Sequence, residues 1–484
     1  MMSCLLSLPL LFLVIAMCCV PGECWTPSHE VSVLHTIYVT SHAEYWTWKN
    51  ETQPDWNFTS SGAPISDPCS TDGVPWEGIT CSPSGAECAN ATTDCHITGV
   101  SLQDYNLDGF IPPSIGNLSH LESLNFWINR MTGTIPPEIG LLRNLTTLDL
   151  DDNFFEGTIP SEFYQLTTLE FLYFSENPIT GSISSALSQF SNLKHLFMSK
   201  NFLTGSLPSF ESMSNIVYIG FQQNHLTGTV PTVVGTLHSL QLYSISDNAF
   251  HGTIPVELNQ LTNMLYLSLG INSFTGSIPP SLGNLSNLLF LGLHFNSLTS
   301  SIPPELASLG KLRNLWLHSN LLTGQLPTKG ALLGMLESFF INDNLLTGML
   351  PSSLGALPNV NNIRIQNNLI TGSIPSSVGQ MSHVHTFDAS WNHLTGPLPE
   401  ELGGMSSLQD LELHHNYLTG ALPSTMGRLK NLKDLELSSN TFSSLPIEFG
   451  NLTNLKKVFM QVRITTLPYN HLCIIFYLSI RLLE

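Results

Sequence analysis

The chain has 484 residues, 42% of them hydrophobic and only 11% charged, so it is too long for one ordinary core, which stops growing at about 250–300 residues, and too apolar for a disordered chain. With 16 Lys and Arg against 36 Asp and Glu, its formal net charge is −20, a balance that repels phosphate backbones and excludes nucleic acid as a partner. Protonation of all 17 histidines would bring −20 to −3, so acidic surroundings would change its electrostatics.

Residues 1–24 read as a signal peptide. An apolar run from Leu5 to Val20 is followed by Gly22 and Cys24, small residues at the −3 and −1 positions of a cleavage site, although a basic leading segment is lacking. A signal anchor is the rival reading, and the run is short for a bilayer span of about 20 residues. Removal of this segment leaves Cys69, Cys81, Cys88, Cys95 and Cys473. Export makes pairing the default. Of the three connectivities open to the first four, Cys69–Cys81 with Cys88–Cys95 closes the shortest loops. Zinc is the weaker alternative, because no two of these cysteines have the short spacing of metal-ligand pairs. Sequons at Asn50, Asn57, Asn90, Asn117, Asn144, Asn284 and Asn451 fit an exported, glycosylated surface.

A period then takes over. Asparagine recurs at Asn129, Asn153, Asn177, Asn201, Asn224, Asn248, Asn272, Asn296, Asn320, Asn344, Asn368, Asn392, Asn416 and Asn440, every 24 residues except for one interval of 23 between Asn201 and Asn224. Leucines such as Leu145, Leu148 and Leu150 lie eight, five and three positions before Asn153, the L-x-x-L-x-L-x-x-N spacing of a leucine-rich repeat. Alternation about the central leucine predicts a short strand per turn, stacked into a parallel sheet. Each asparagine should turn inward and hydrogen-bond the backbone of adjacent turns. Four residues later a glycine permits a bend in all turns but two, where Ser300 and Ser444 stand instead.

At "LTGxIP", as in "NSFTGSIP" from Asn272, the sequence resembles the plant-type leucine-rich repeat family, which includes receptor-kinase ectodomains, receptor-like proteins and polygalacturonase inhibitors. The likeness covers about Val100 to Leu455, and "DPCSTDGVPWEGITC", Asp67 to Cys81, looks like that family's N-terminal cap. It implies an α/β-type solenoid, a horseshoe or superhelix of about 15 repeats of 24 residues with a parallel concave sheet and a small lateral one. The cap would occupy residues 25–99, with Trp25, Trp46, Trp48 and Trp56 as its small core, and the solenoid residues 100–460. Residues 461–484 depart from the family: Arg463 stands where asparagine belongs, and an apolar tail with a lone Cys473 replaces a paired-cysteine cap. An improvised hydrophobic cap, a truncated reading frame and a membrane anchor are the three explanations.

Function should sit in residues that do not repeat. The column between the two leucines of each L-x-L runs Asn125, Asp149, Tyr173, Phe197, Gly220, Ser244, Ser268, Gly292, Trp316, Phe340, Arg364, Asp388, Glu412 and Glu436. Neighbouring strands lie about 4.8 Å apart, so Tyr173 with Phe197 and Trp316 with Phe340 should form aromatic patches. Trp127 and Trp391 add rings in nearby columns. Exposed aromatics on a concave sheet read as a ligand face, against the alternative of mutual packing. His294 and His318 stack beside Phe295 and Trp316 and are expected to gain charge near pH 6.5. Lacking a third ligand, they are read as surface histidines rather than a metal pair, as are His414 and His415. Asp149, Asp151 and Asp152 crowd one turn beside Glu176, a glycosidase-like grouping, but an open sheet is expected to offer no cleft that raises a pKa. No catalytic residue, cofactor or metal is assigned.

The resulting expectation is a receptor-like, non-catalytic module, secreted or on the outer side of the plasma membrane. It would bind a protein, peptide or glycan on its concave or lateral face, signalling through a membrane co-receptor. A secreted inhibitor of a wall-degrading enzyme, a truncated receptor-kinase ectodomain and a matrix protein are the alternatives.

Overall fold

The structure is a computed structural model. It describes residues 26–47, 56–62, 64, 66–69, 75–82, 95–327, 334–464 and 474–481.

Each turn contributes a three-residue strand such as Thr147–Asp149, whose middle Leu148 is fully buried while its neighbours are half exposed. That alternation is what a half-covered strand requires. The strand pairs in parallel with the next turn, Thr147, Leu148 and Asp149 facing Phe171, Leu172 and Tyr173. The same pairing carries the concave sheet from His96–Ser101 to Lys457–Ile464. Both ends are closed by an antiparallel partner, Ile79–Ser82 at the first and Ile474–Arg481 at the last. The strand Lys457–Ile464 crosses the expected solenoid limit at residue 460, so the sheet extends into the segment read as tail. Cys473 lies outside the described residues.

The asparagines hold successive turns together. Asn153 Oδ1 accepts from Met131 N at 2.9 Å, and its Nδ2 donates to Phe126 O at 2.8 Å and Leu150 O at 3.3 Å. Since Phe126 O also accepts from Asn129 Nδ2 at 2.9 Å, each such carbonyl is shared by two ladder rungs. Reaching that geometry requires a left-handed residue just before each asparagine, with φ between 49° and 59° from Ile128 to Ser439. Ile128, Ile271, Phe295 and Trp391 occupy this position although β-branched and bulky residues disfavour it. Past the asparagine, Gly157 has φ 76°, and a Cβ there would meet Thr134 Cγ2 at 2.9 Å.

Beyond that glycine a lateral sheet runs from Gly157–Thr158 to Ser297–Thr299 in seven parallel strands. The convex side consists of five-residue 3-10 turns such as Pro137–Leu141. A proline at the start fits a turn whose first N–H has no partner. Among the described residues the α-helix is confined to Ser28–Thr40, because a 24-residue turn leaves the convex side only a five-residue span. No helix among the described residues is long and apolar enough to cross a membrane.

At the N-terminal end Trp46, Trp56 and Trp76 are buried against one another, Trp46 edge-on to Trp56 with centroids 5.2 Å apart and Trp56 tilted against Trp76 at 6.2 Å. A Cys69–Cys81 disulfide closes over it. Cys95 is also disulfide-bonded; its expected partner Cys88, like Trp25 and Trp48, lies outside the described residues. Buried Glu30 accepts from Ile97 N at 2.8 Å and lies 2.7 Å from His96 Nδ1, fastening the helix to the first concave strand. One hydrophobic core then continues from Val33 to Met460. Of the sequons, Asn57, Asn117, Asn144, Asn284 and Asn451 are exposed, and Asn50 and Asn90 lie outside the described residues.

Candidate functional site

Strand pleating puts two residues of each three-residue strand on the concave surface, one before and one after the buried leucine. The later column holds Tyr173, Phe197, Trp316 and Phe340. Tyr173 stacks on Phe197 at 5.8 Å and Trp316 on Phe340 at 5.9 Å, in planes inclined by 9° and 17°. The sequence reading missed the earlier column, which contributes Phe171, His195, Tyr218, Tyr266 and Phe290. A period-24 alignment of the residue preceding each central leucine would have revealed it.

Together the columns make two clusters. In the first, Phe171 packs on His195 at 4.9 Å, His195 on Tyr218 at 4.5 Å, and the Tyr173 hydroxyl lies 2.7 Å from His195 Nδ1. In the second, Tyr266 stacks on Phe290 at 4.2 Å, Phe290 meets Trp316 edge-on at 4.9 Å, and Arg364 caps Phe340 at 5.3 Å from its centroid. Aromatic pairs in such geometries add about 0.5–1.5 kcal/mol each beyond area burial, so mutual packing accounts for part of each patch. Glycines make room for it. A Cβ on Gly220 would meet the Phe197 ring at 2.5 Å, and one on Gly292 the Phe290 ring at 2.7 Å.

Packing does not satisfy everything. Trp316 Nε1 and His294 Nδ1 are shielded from solvent without a hydrogen-bond partner in the protein. His294 stacks on His318 at 4.9 Å and is only 9% exposed. Burial and then the neighbouring His318 push its pKa down to about 4; burial likewise lowers His318. The expectation that this pair charges near pH 6.5 is therefore corrected. A ring enclosed by other rings loses the hydration that stabilises its cation. Trp127, 40% exposed, lies two strands before the first cluster, and Trp391, 54% exposed, stacks on His415 at 3.8 Å. These two tryptophans are not brought together with the patches.

Acidic groups bound both ends. Burial raises Asp149 to about 6 and Asp151 to about 7, the charges of Asp149 and Glu176 adding to the latter. The expectation that an open sheet would not raise a pKa is thus overturned, because these carboxylates lie under their neighbours in adjacent turns. Their oxygens are engaged with backbone: Asp149 Oδ1 accepts from Asp151 N at 3.1 Å, and Asp151 Oδ1 accepts from Ser175 N. At the other end burial, followed by the charges of Asp388, Glu436 and Asp410, raises Glu412 to about 7.

A leucine-rich repeat family model matches residues 143–203 and 406–461. A probable LRR receptor-like serine/threonine-protein kinase of Arabidopsis thaliana is 31% identical over 106 residues, 21% of this chain and 9% of that protein. The matched stretch thus spans under a tenth of that relative. Among solved structures, the plant peptide hormone receptor RGFR1 in complex with RGF2 is 31% identical with a TM-score of 0.71, the match covering 80% of this chain and 68% of that one. The Arabidopsis receptor kinase HAESA, in complex with the peptide hormone IDA and the co-receptor SERK1, is 29% identical with a TM-score of 0.65, over 73% of this chain and 64% of that one.

Proposed function

This chain belongs to the plant-type leucine-rich repeat family, and on that premise we propose that it is a non-catalytic extracellular recognition module that holds an extended peptide across its concave face. The carrying observation is the run Tyr266, Phe290, Trp316, Phe340 and Arg364, packed ring to ring, face to face or edge-on, across successive strands and ending on a cation. Eight strand steps separate Phe171 from the strand of Arg364, about 38 Å at about 4.8 Å each, the length of an extended peptide of about eleven residues. Rings supply apolar contact at low entropic cost. The relatives RGFR1 and HAESA, each held with a peptide hormone, support this reading.

The second partner is a protein. Leu321, Leu345 and Leu369 follow the asparagines of three successive turns and are exposed, with Tyr417 further along. This lateral stripe is apart from the concave rings and suits a co-receptor, which would carry the signal across a membrane. The apolar leader and the exposed sequons support placement outside the cell, secreted or at the plasma membrane.

The test is selection of binders from a display library of random peptides on the intact secreted chain. Recovered peptides should bind a Trp316→Ala, Phe340→Ala variant at least about tenfold more weakly, with folding verified by circular dichroism. Peptides that bind that variant at full strength would move the site elsewhere.

A further inference from the structure

Three metal-ligating side chains converge near the C-terminal end of the concave sheet. Glu412 and Glu436 stand in register on the parallel strands Asp410–Glu412 and Asp434–Glu436, so their carboxylates lie side by side. His414 follows Glu412 by two residues on the same face, and one donor atom from each of Glu412, His414 and Glu436 lies within 4.8 Å of the other two.

The histidine provides the second observation. Its Nδ1 is shielded from solvent and has no hydrogen-bond partner in the protein, and Glu436 Oε1, at 3.8 Å, is beyond hydrogen-bonding distance. Two donors each about 2.0–2.2 Å from one tetrahedral ion lie about 3.4 Å apart, so the pair closes on an ion with a movement of a few tenths of an ångström. Charge points the same way. Asp388 pairs in register with Glu412, and Glu412 with Glu436, so like charges are crowded here; Arg364 faces Asp388 from the strand before, and Lys457, 3.7 Å from Asp434 Oδ2, is engaged with that carboxylate. Asp388 Oδ1 is held by two hydrogen bonds from Ser390, from N at 3.0 Å and Oγ at 2.7 Å, whereas Glu436 Oε1 accepts one long bond from Ser438 Oγ at 3.4 Å, so the ligand set is Glu412, His414 and Glu436.

We propose that Glu412, His414 and Glu436 bind one divalent transition-metal ion of the zinc class through one imidazole nitrogen and two carboxylate oxygens. A mixed nitrogen and oxygen set suits zinc better than calcium or magnesium, which take oxygen alone. The ion cancels two of the crowded negative charges. Three protein donors leave a fourth position open on the concave side, for water or for a carboxylate of a bound molecule.

The experiment is calorimetric titration of zinc chloride into the full, tag-free chain, repeated with cobalt to read the coordination spectrum. Wild type should take up one ion per chain, and zinc should raise its melting temperature in a concentration-dependent way. His414→Gln and the double variant Glu412→Gln, Glu436→Gln should each bind at least about tenfold more weakly, while keeping the metal-free melting temperature within a few degrees. A His294→Gln, His318→Gln variant should bind as wild type does. Absence of saturable uptake, equal uptake in the three-ligand variants, or loss only in the His294, His318 variant would each overturn the assignment.

Discussion

Replacing one rung of the asparagine ladder should cost a predictable amount, and replacing two neighbours should cost more than their sum. Asn392 is 3% exposed; its Oδ1 accepts from Ile370 N at 3.0 Å, and its Nδ2 donates to Ile365 O at 3.0 Å and Ala389 O at 3.3 Å. Those carbonyls have a second donor each, Asn368 at 3.1 Å and Asn416 at 3.0 Å. Asn392→Ala therefore orphans only the Ile370 N–H, a loss of about 2 kcal/mol. Asn416→Ala similarly orphans Leu394 N. In the double variant Ala389 O loses both donors, so a coupling of about 1 kcal/mol should appear beyond additivity. Asn392 and Asn440 share no carbonyl, and their double variant should be additive within about 0.5 kcal/mol. Urea denaturation followed by circular dichroism measures all five variants. Equal coupling in both pairs, or singles no worse than the concave-face control Ser246→Ala, would refute the shared-carbonyl account.

Other expectations follow from strain and charge. Ile271, exposed and at φ 53°, should be better served by asparagine, so Ile271→Asn should stabilise by about 1 kcal/mol in the same denaturation assay. Asp151, raised to about 7, contributes stability that is present below its unfolded value near 4 and lost as pH rises through 7. Asp151→Asn should therefore stabilise at pH 7.5 by about 2 kcal/mol after discounting for solvent, with the gain gone at pH 4; a gain unchanged between the two would contradict this. His294, lowered to about 4, remains neutral through pH 6.5, so affinity for an anionic peptide should not rise there through this ring. A rise centred on pH 6.5 that vanishes in His294→Gln would show the imidazole to be hydrated after all.

What the sequence disclosed and what it withheld divide along a physical line. The leucines and Asn129 to Asn440 were legible because each turn must satisfy the next: an amide that serves two turns has to recur at every turn, and recurrence is visible in a single chain. The stacks of Tyr173 on Phe197 and Trp316 on Phe340 were legible for the same reason, since strand register follows from the period. The burial of His294 was not, because it depends on a residue one turn earlier whose significance lies in having no side chain. Gly270 precedes it in the same column, and a Cβ there would collide with the His294 ring, so the ring lies down into that space and loses its water. The raised carboxylates were hidden similarly, Asp151 being covered by the turn that carries Ser175. The left-handed residues before each asparagine left only a partial compositional trace, Asp152, Asp247, Asp343 and Asn367 beside Ile128 and Trp391, because the ladder's hydrogen bonds outweigh a conformational preference of about 1 kcal/mol. Periodic residues answer to their neighbours' backbone and can be read one column at a time. The electrostatics of the concave face depend on pairs of columns, where a missing side chain in one turn sets the hydration of a ring in the next.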